Sequence, residues 1–180
     1  MRTHLIVASL AAALVTALPW DSARALQTER IAPLESRIPV GTASLYSREI
    51  GRGQPIIVLH GGPDFDHGYL LPDLDRLADS FRLIYYDQRG RGRSRDHVLP
   101  EEVTLTSDVD DLDRVRQHLH PRSAAVLGHS WGAVLALEYA LRHPERVSHM
   151  ILMNPAPASA RDFAVLRKAY GPLLPSSPNV

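Results

Sequence analysis

A serine stands where an apolar run gives way to an amphipathic helix, with a glycine two residues to either side: Gly128-His129-Ser130-Trp131-Gly132. The pattern G-x-S-x-G carries meaning in a strand–turn–helix context. Ala124 to Leu127 reads as the strand and Trp131 to His143 as the helix, ended by Pro144. A residue on so sharp a turn takes strained backbone angles, and flanking side chains larger than glycine would collide there. The turn sets the Ser130 hydroxyl at a helix N-terminus, where the dipole and the free N–H of Trp131 face charge that develops during acyl transfer. A helix-capping serine is the competing role. The two glycines, Gly128 and Gly132, together with the buried strand, favour Ser130 as a nucleophile.

The rest of the chain repeats the same rhythm. Ile56-Ile57-Val58-Leu59 is a continuous apolar run, the signature of a strand buried on both faces of a parallel sheet, and Phe81 to Tyr86 and Val147 to Met153 read as further buried strands. Thr42 to Ile50 alternates as an antiparallel edge strand, and Leu26 to Val40 reads as an extended lead-in. Tyr69 to Ala78 is expected to form a short helix. Val109, Leu112, Val115 and Leu119 recur at helical spacing, with acids at the start of that helix and arginines nearer its end, which complements the helix dipole. Arg161 to Tyr170 is one more candidate helix. The expected fold class is therefore α/β, a mostly parallel sheet with helices on both faces.

Composition narrows the function classes. Twenty basic residues balance twenty acidic ones, which gives no footprint for nucleic acid or an anionic membrane. The absence of cysteine removes disulfides and thiolate metal sites. The N-terminus has the three-part layout of a secretory signal: Arg2, the apolar stretch Leu5 to Leu18, then small residues at Ala23 and Ala25. That 14-residue stretch falls short of the roughly 20 residues that a spanning helix needs. Cleavage is expected after Ala25, giving a secreted or periplasmic protein with no membrane attachment, 18 basic groups and 19 acidic ones.

Two further loops follow buried strands. His60-Gly61-Gly62-Pro63 occupies the place where a second oxyanion donor is expected, and the N–H of Gly62 is assigned that role. His60 reads as a loop-fixing residue, and His129 as a packing or hydrogen-bonding one. Adjacency in sequence does not bring a base within about 3 Å of the hydroxyl. Asp87-Gln88-Arg89-Gly90-Arg91-Gly92-Arg93-Ser94 lacks the Gly-Lys-Ser/Thr ending of a phosphate loop. It reads as a structural loop with internal ion pairs.

In combination, HGGP, DQRGRGRS and GHSWG, in this order from Gln54 to about Pro155, resemble the proline iminopeptidase branch of the α/β-hydrolase superfamily. The resemblance implies an aminopeptidase that releases an N-terminal residue, typically proline, through an acyl-enzyme on Ser130. It implies small peptide, amide or ester substrates and no metal or organic cofactor. Two positions depart from the family's habit: Asp64 where HGGPG is common, and Ala133 where a second Gly or Ser is frequent. Asp64 is a candidate to attract a substrate's amino group.

In this superfamily the triad follows the order Ser, then Asp or Glu, then His. After Ser130 the sequence offers Asp162, His143 and His149, and both histidines precede the aspartate. The expectation is therefore an N-terminal portion: residues 26–155 forming the first part of the core, and 156–180 the start of a cap or a truncated tail. Such a portion is inactive and poorly soluble, with Val147 to Met153 left as an exposed edge. An esterase or lactonase of the same fold and a non-catalytic fragment are the alternatives. Epoxide and haloalkane hydrolases are disfavoured, because they place Asp where Ser130 stands.

Overall fold

The structure is a computed structural model, which describes residues 32–62, 65–119, 122–157 and 159–170. The expected signal segment 1–25, Asp64 and the last ten residues lie outside the described residues.

Six strands form one sheet in the order β1-β2-β4-β3-β5-β6. They are β1 (Leu34–Val40), β2 (Ala43–Ile50), β3 (Gln54–Leu59), β4 (Phe81–Tyr86), β5 (Ala124–His129) and β6 (Val147–Met153). The pairs β3–β4, β3–β5 and β5–β6 are parallel, whereas β1–β2 and β2–β4 are antiparallel. Three longer helices accompany them: α1 (Leu105–His118), α2 (Trp131–Arg142) and α3 (Ala160–Tyr170).

Period-2 alternation explains why the central strands are apolar throughout. Ile57, Leu59, Ile84, Tyr86 and Val126 face one core, together with Val109, Leu112 and Val115 of α1 and Leu135, Ala136 and Tyr139 of α2. Their neighbours Ile56, Val58, Leu83, Tyr85, Ala125 and Leu127 face a second core, covered by Leu70, Leu74 and Ala78. Both sets are buried, so each strand contributes hydrophobic stabilisation on two faces, about 1.5–3 kcal/mol for a fully buried large side chain.

Several expectations need correction. The lead-in contains a strand, β1, which pairs with β2 along its whole length; β2 is thus interior and β1 is the edge. Most of β1 is exposed and Leu34 is 65% accessible, so it lacks the apolar alternation that marks a strand in sequence. Residues 69–78 do not form one helix. Three successive short turns, His67–Leu70, Leu71–Leu74 and Asp75–Asp79, cover the second core instead. β6 is not buried. It is the other edge, with Met150, Ile151 and Leu152 all exposed. The exposed edge expected at Val147 to Met153 is therefore present among the described residues.

The arginine loop after β4 is held by ion pairs, but these reach α1 and do not stay within the loop. Arg89 makes a bidentate contact with Asp111 at 2.6 and 2.9 Å, and Arg91 reaches Asp108 at 2.8 Å. Burial pushes both carboxyls up, against the opposing pull of the guanidinium each one faces. The acids at the start of α1 thus anchor this loop in addition to complementing the dipole. α1 itself begins at Leu105 with a reciprocal cap between Thr104 and Ser107.

Candidate active site

The C-terminal ends of β3, β4 and β5 bring three loops together. The sharpest turn is at Ser130, which caps α2 with φ 53° and ψ −114°. This lies outside the regions that a non-glycine residue adopts at low cost, and such strain persists only where the surroundings over-determine it. Here the backbone is tied on both sides. Ser130 N–H donates to the Met153 carbonyl at 3.0 Å, and the Ser130 carbonyl accepts from Ala133 N–H at 3.0 Å and Ala156 N–H at 3.1 Å. The turn is therefore clamped to the end of β6.

Gly128 and Gly132 are required by close approach. A Cβ at Gly132 would collide with the Leu59 carbonyl and stand 2.7 Å from the His60 carbonyl oxygen, and one at Gly128 would run into Gly132 itself. These neighbours are all backbone and cannot rotate away. Trp131 and Gly132 open α2, the positions whose N–H groups have no acceptor within a helix.

The loop after β3 lies directly against the turn. A Cβ on Gly61 would be 2.8 Å from Ser130 Cβ, so only glycine permits that proximity. Gly62 adopts φ 66°, in the left-handed region. His60, fully buried, fixes the peptide between them. Its Nε2 accepts from Gln88 N–H at 3.0 Å, so the neutral ring carries its proton on Nδ1 and donates to the Gly61 carbonyl at 3.0 Å. Burial holds the His60 imidazole below its ordinary value, in keeping with a neutral ring. In a trans peptide the N–H points opposite to the carbonyl. The N–H of Gly62 is accordingly directed away from His60.

His129 is intermediate in burial, and its Nδ1 lies 2.6 Å from the Tyr69 hydroxyl. Among the described residues, no histidine hydrogen-bonds the Ser130 hydroxyl. The later residues that sequence offered are engaged elsewhere. His143 packs on Tyr139 beyond the C-terminus of α2 at 5.2 Å between ring centroids, and His149 sits on exposed β6. Asp162 is at the start of α3, where it accepts from Ser159 at 2.8 Å. Sequence reasoning missed two contributors, Tyr69 and the pair His67–Asp87, because short helical turns and a buried histidine leave no periodic signal.

A strand–serine–helix turn facing a glycine loop across a mostly parallel sheet defines a class. The family model described as alpha/beta hydrolase fold matches residues 54–179, and the chain belongs to that family. Within it the chain is proline iminopeptidase-like. It is 38% identical over 113 residues to a proline iminopeptidase of Arabidopsis thaliana, a match covering 61% of this chain and 29% of the relative. The solved proline iminopeptidase of Mycobacterium smegmatis resembles it with a TM-score of 0.68 at 29% identity, covering 79% of this chain and 50% of that one. An esterase of Exiguobacterium antarcticum gives 0.61 at 31% identity, covering 68% and 46%. The chain spans less than half the length of the curated relatives it matches.

Proposed function

We propose that Ser130 is the nucleophile of a proline iminopeptidase-type serine hydrolase, which releases an N-terminal residue, typically proline, through an acyl-enzyme. The observation that carries this reading is the strained Ser130 backbone, clamped at a helix N-terminus within contact distance of the Gly61–Gly62 loop. A structural serine gains nothing from such a conformation. In this reading the N–H groups of Trp131 and Gly62 hold the oxyanion, and Gly128 and Gly132 allow the turn. The general base and its carboxylate partner must come from outside the described residues, since none of these reaches Ser130. The charge, apolar stretch and small residues of segment 1–25 support export to a secreted or periplasmic location. Asp64, at the mouth of the glycine loop in sequence, is proposed to attract the substrate's free amino group.

The experiment is a panel of prolyl-naphthylamide against aryl esters, run on the protein from the full open reading frame that contains these residues, with Ser130→Ala as control. Hydrolysis of the prolyl amide that falls at least about 10³-fold in the control supports the reading. Ester cleavage alone moves the assignment to an esterase or lactonase, which the similarity to the Exiguobacterium enzyme favours. Cleavage of neither leaves a non-catalytic fragment as the better account.

A further inference from the structure

The loop after β3 and the turn after β5 belong to separate parts of the chain, and one side chain is bonded to both. The Tyr69 hydroxyl accepts from Gly61 N–H at 2.8 Å and lies 2.6 Å from His129 Nδ1. A phenol has one proton to give. Giving that proton to Nδ1 of His129 uses the hydroxyl's donor as well as its acceptor capacity, and in that arrangement the ring carries its own proton on Nε2. Burial pushes the Tyr69 hydroxyl above its ordinary value, so it stays protonated and able to donate at neutral pH.

The placement of Tyr69 follows from the turn that carries it. Asp66 accepts from Gly68 N–H at 2.7 Å and starts the turn His67–Leu70, while His67 below is fixed to Asp87. Tyr69 is thereby returned over the glycine loop, edge-on to Phe65 at 5.9 Å and to His129 at 5.4 Å. Phe65 in turn packs where a Gly62 Cβ would be. The consequence is that two consecutive peptides of the loop are pinned from different sides. His60 holds the Gly61 carbonyl, and Tyr69 holds the Gly61 N–H. Among the described residues, the N–H of Gly62 is the one donor of this pair of peptides left to meet a ligand.

We propose that Tyr69 is a positioning residue that locks the Gly61–Gly62 loop to the Ser130 turn through His129, so that the oxyanion donor stands preorganised before substrate arrives. This rests on the reading of Ser130 as the nucleophile. Its role is distinct from acid–base chemistry, since the hydroxyl is committed to two protein partners, Gly61 and His129.

The test is Tyr69→Phe, which removes the hydroxyl and keeps the ring. In the 180-residue chain, hydrogen exchange at the Gly61 amide, resolved by mass spectrometry at micromolar protein, rises about 10-fold or more, while amides of β3 and β5 keep their protection. With histidine-selective 15N labelling, His129 changes from a single Nε2–H tautomer to a mixture. In the enzyme active on prolyl amides, the same variant lowers kcat about 10-fold or more with KM little changed, as loss of transition-state positioning requires. Should Tyr69→Phe fail to fold, His129→Leu removes the acceptor from the opposite end, and the Gly61 exchange rises again. Unchanged Gly61 exchange, an unchanged His129 tautomer or an unchanged kcat overturns the proposal. Hydrolysis that survives Ser130→Ala sinks the nucleophile reading instead, and the exchange and tautomer measurements keep the two failures apart.

Discussion

His67 Nδ1 stands 2.6 Å from Asp87 Oδ1, with both side chains buried. Asp87 also accepts from the backbone N–H of His67 at 3.2 Å and of Arg93 at 2.8 Å. One carboxylate thus ties the turn that carries Tyr69 to the arginine loop after β4. Burial pushes this carboxyl up, but the hydrogen bonds from His67 and Arg93 outweigh it, and the net shift is downward. A carboxyl lowered in the folded state contributes stability above its ordinary range and loses it as pH falls through the folded value. Asp87→Ala is expected to cost about 3 kcal/mol in urea denaturation at pH 7, with the difference from wild type shrinking in acid. A cost below about 1 kcal/mol would mean that the pair is replaceable by water.

His60 gives the histidine counterpart. Its folded value is lowered by burial, so folding favours the neutral ring and the unfolded chain binds more protons as acid is added. Stability is present above the ordinary histidine value of about 6.5 and is lost as pH falls below it. The expected result is a decline in unfolding free energy between pH 7 and 5 that is shallower in His60→Asn. Equal slopes in the two proteins would remove His60 as the pH-sensitive group.

The turn stores strain that function would need and stability does not. Ser130→Gly relieves the φ of 53° and is expected to stabilise the fold by about 1 kcal/mol. Gly132→Ala does the opposite, because its Cβ meets the Leu59 and His60 carbonyls, and is expected to cost about 2 kcal/mol or more. Thermal unfolding of the two variants, shifted in opposite directions, is the check. A destabilised Ser130→Gly would show that the backbone at this position is unstrained.

Met150, Ile151 and Leu152 are exposed at the β6 edge, on alternating faces of the strand. Unpaired backbone and apolar side chains in one strand make a template for association. The 180-residue chain is expected to form aggregates visible by light scattering, and Ile151→Lys to suppress them. A monodisperse wild-type chain would show that this edge is protected.

What could be read from sequence tracks where the energy lies. The bounds of β4, Phe81–Tyr86, and of β6, Val147–Met153, follow from largely apolar segments, and the Ser130 turn from glycines with a single steric purpose. β1 escaped because an edge strand draws its stability from main-chain pairing with β2, which leaves side chains such as Leu34 free of pattern. β6 reads two ways, as a buried strand by composition and as an exposed edge by its place in the chain, and the second holds. Its composition suits a strand covered on both faces, while its neighbours in this structure cover little of it. Arg89 and Arg91 were legible as ion-pair formers, but their partners on α1 were not, since a contact across some twenty residues depends on how the helix docks. Tyr69 was hidden for the same reason. Its bonds to Gly61 and His129 exist only once the sheet has brought β3 and β5 side by side.

The nucleophile assignment is tested most directly by covalent trapping. The protein from the full open reading frame is treated with a fluorophosphonate, digested, and the adduct located by mass spectrometry. A single adduct on Ser130, formed much more slowly in the 180-residue chain, where no described histidine hydrogen-bonds the Ser130 hydroxyl, is the predicted result. General-base assistance is worth typically 10²–10⁴-fold, which sets the expected gap in rate. An adduct on another residue, or a 180-residue chain labelled at the same rate as the whole protein, would contradict the account.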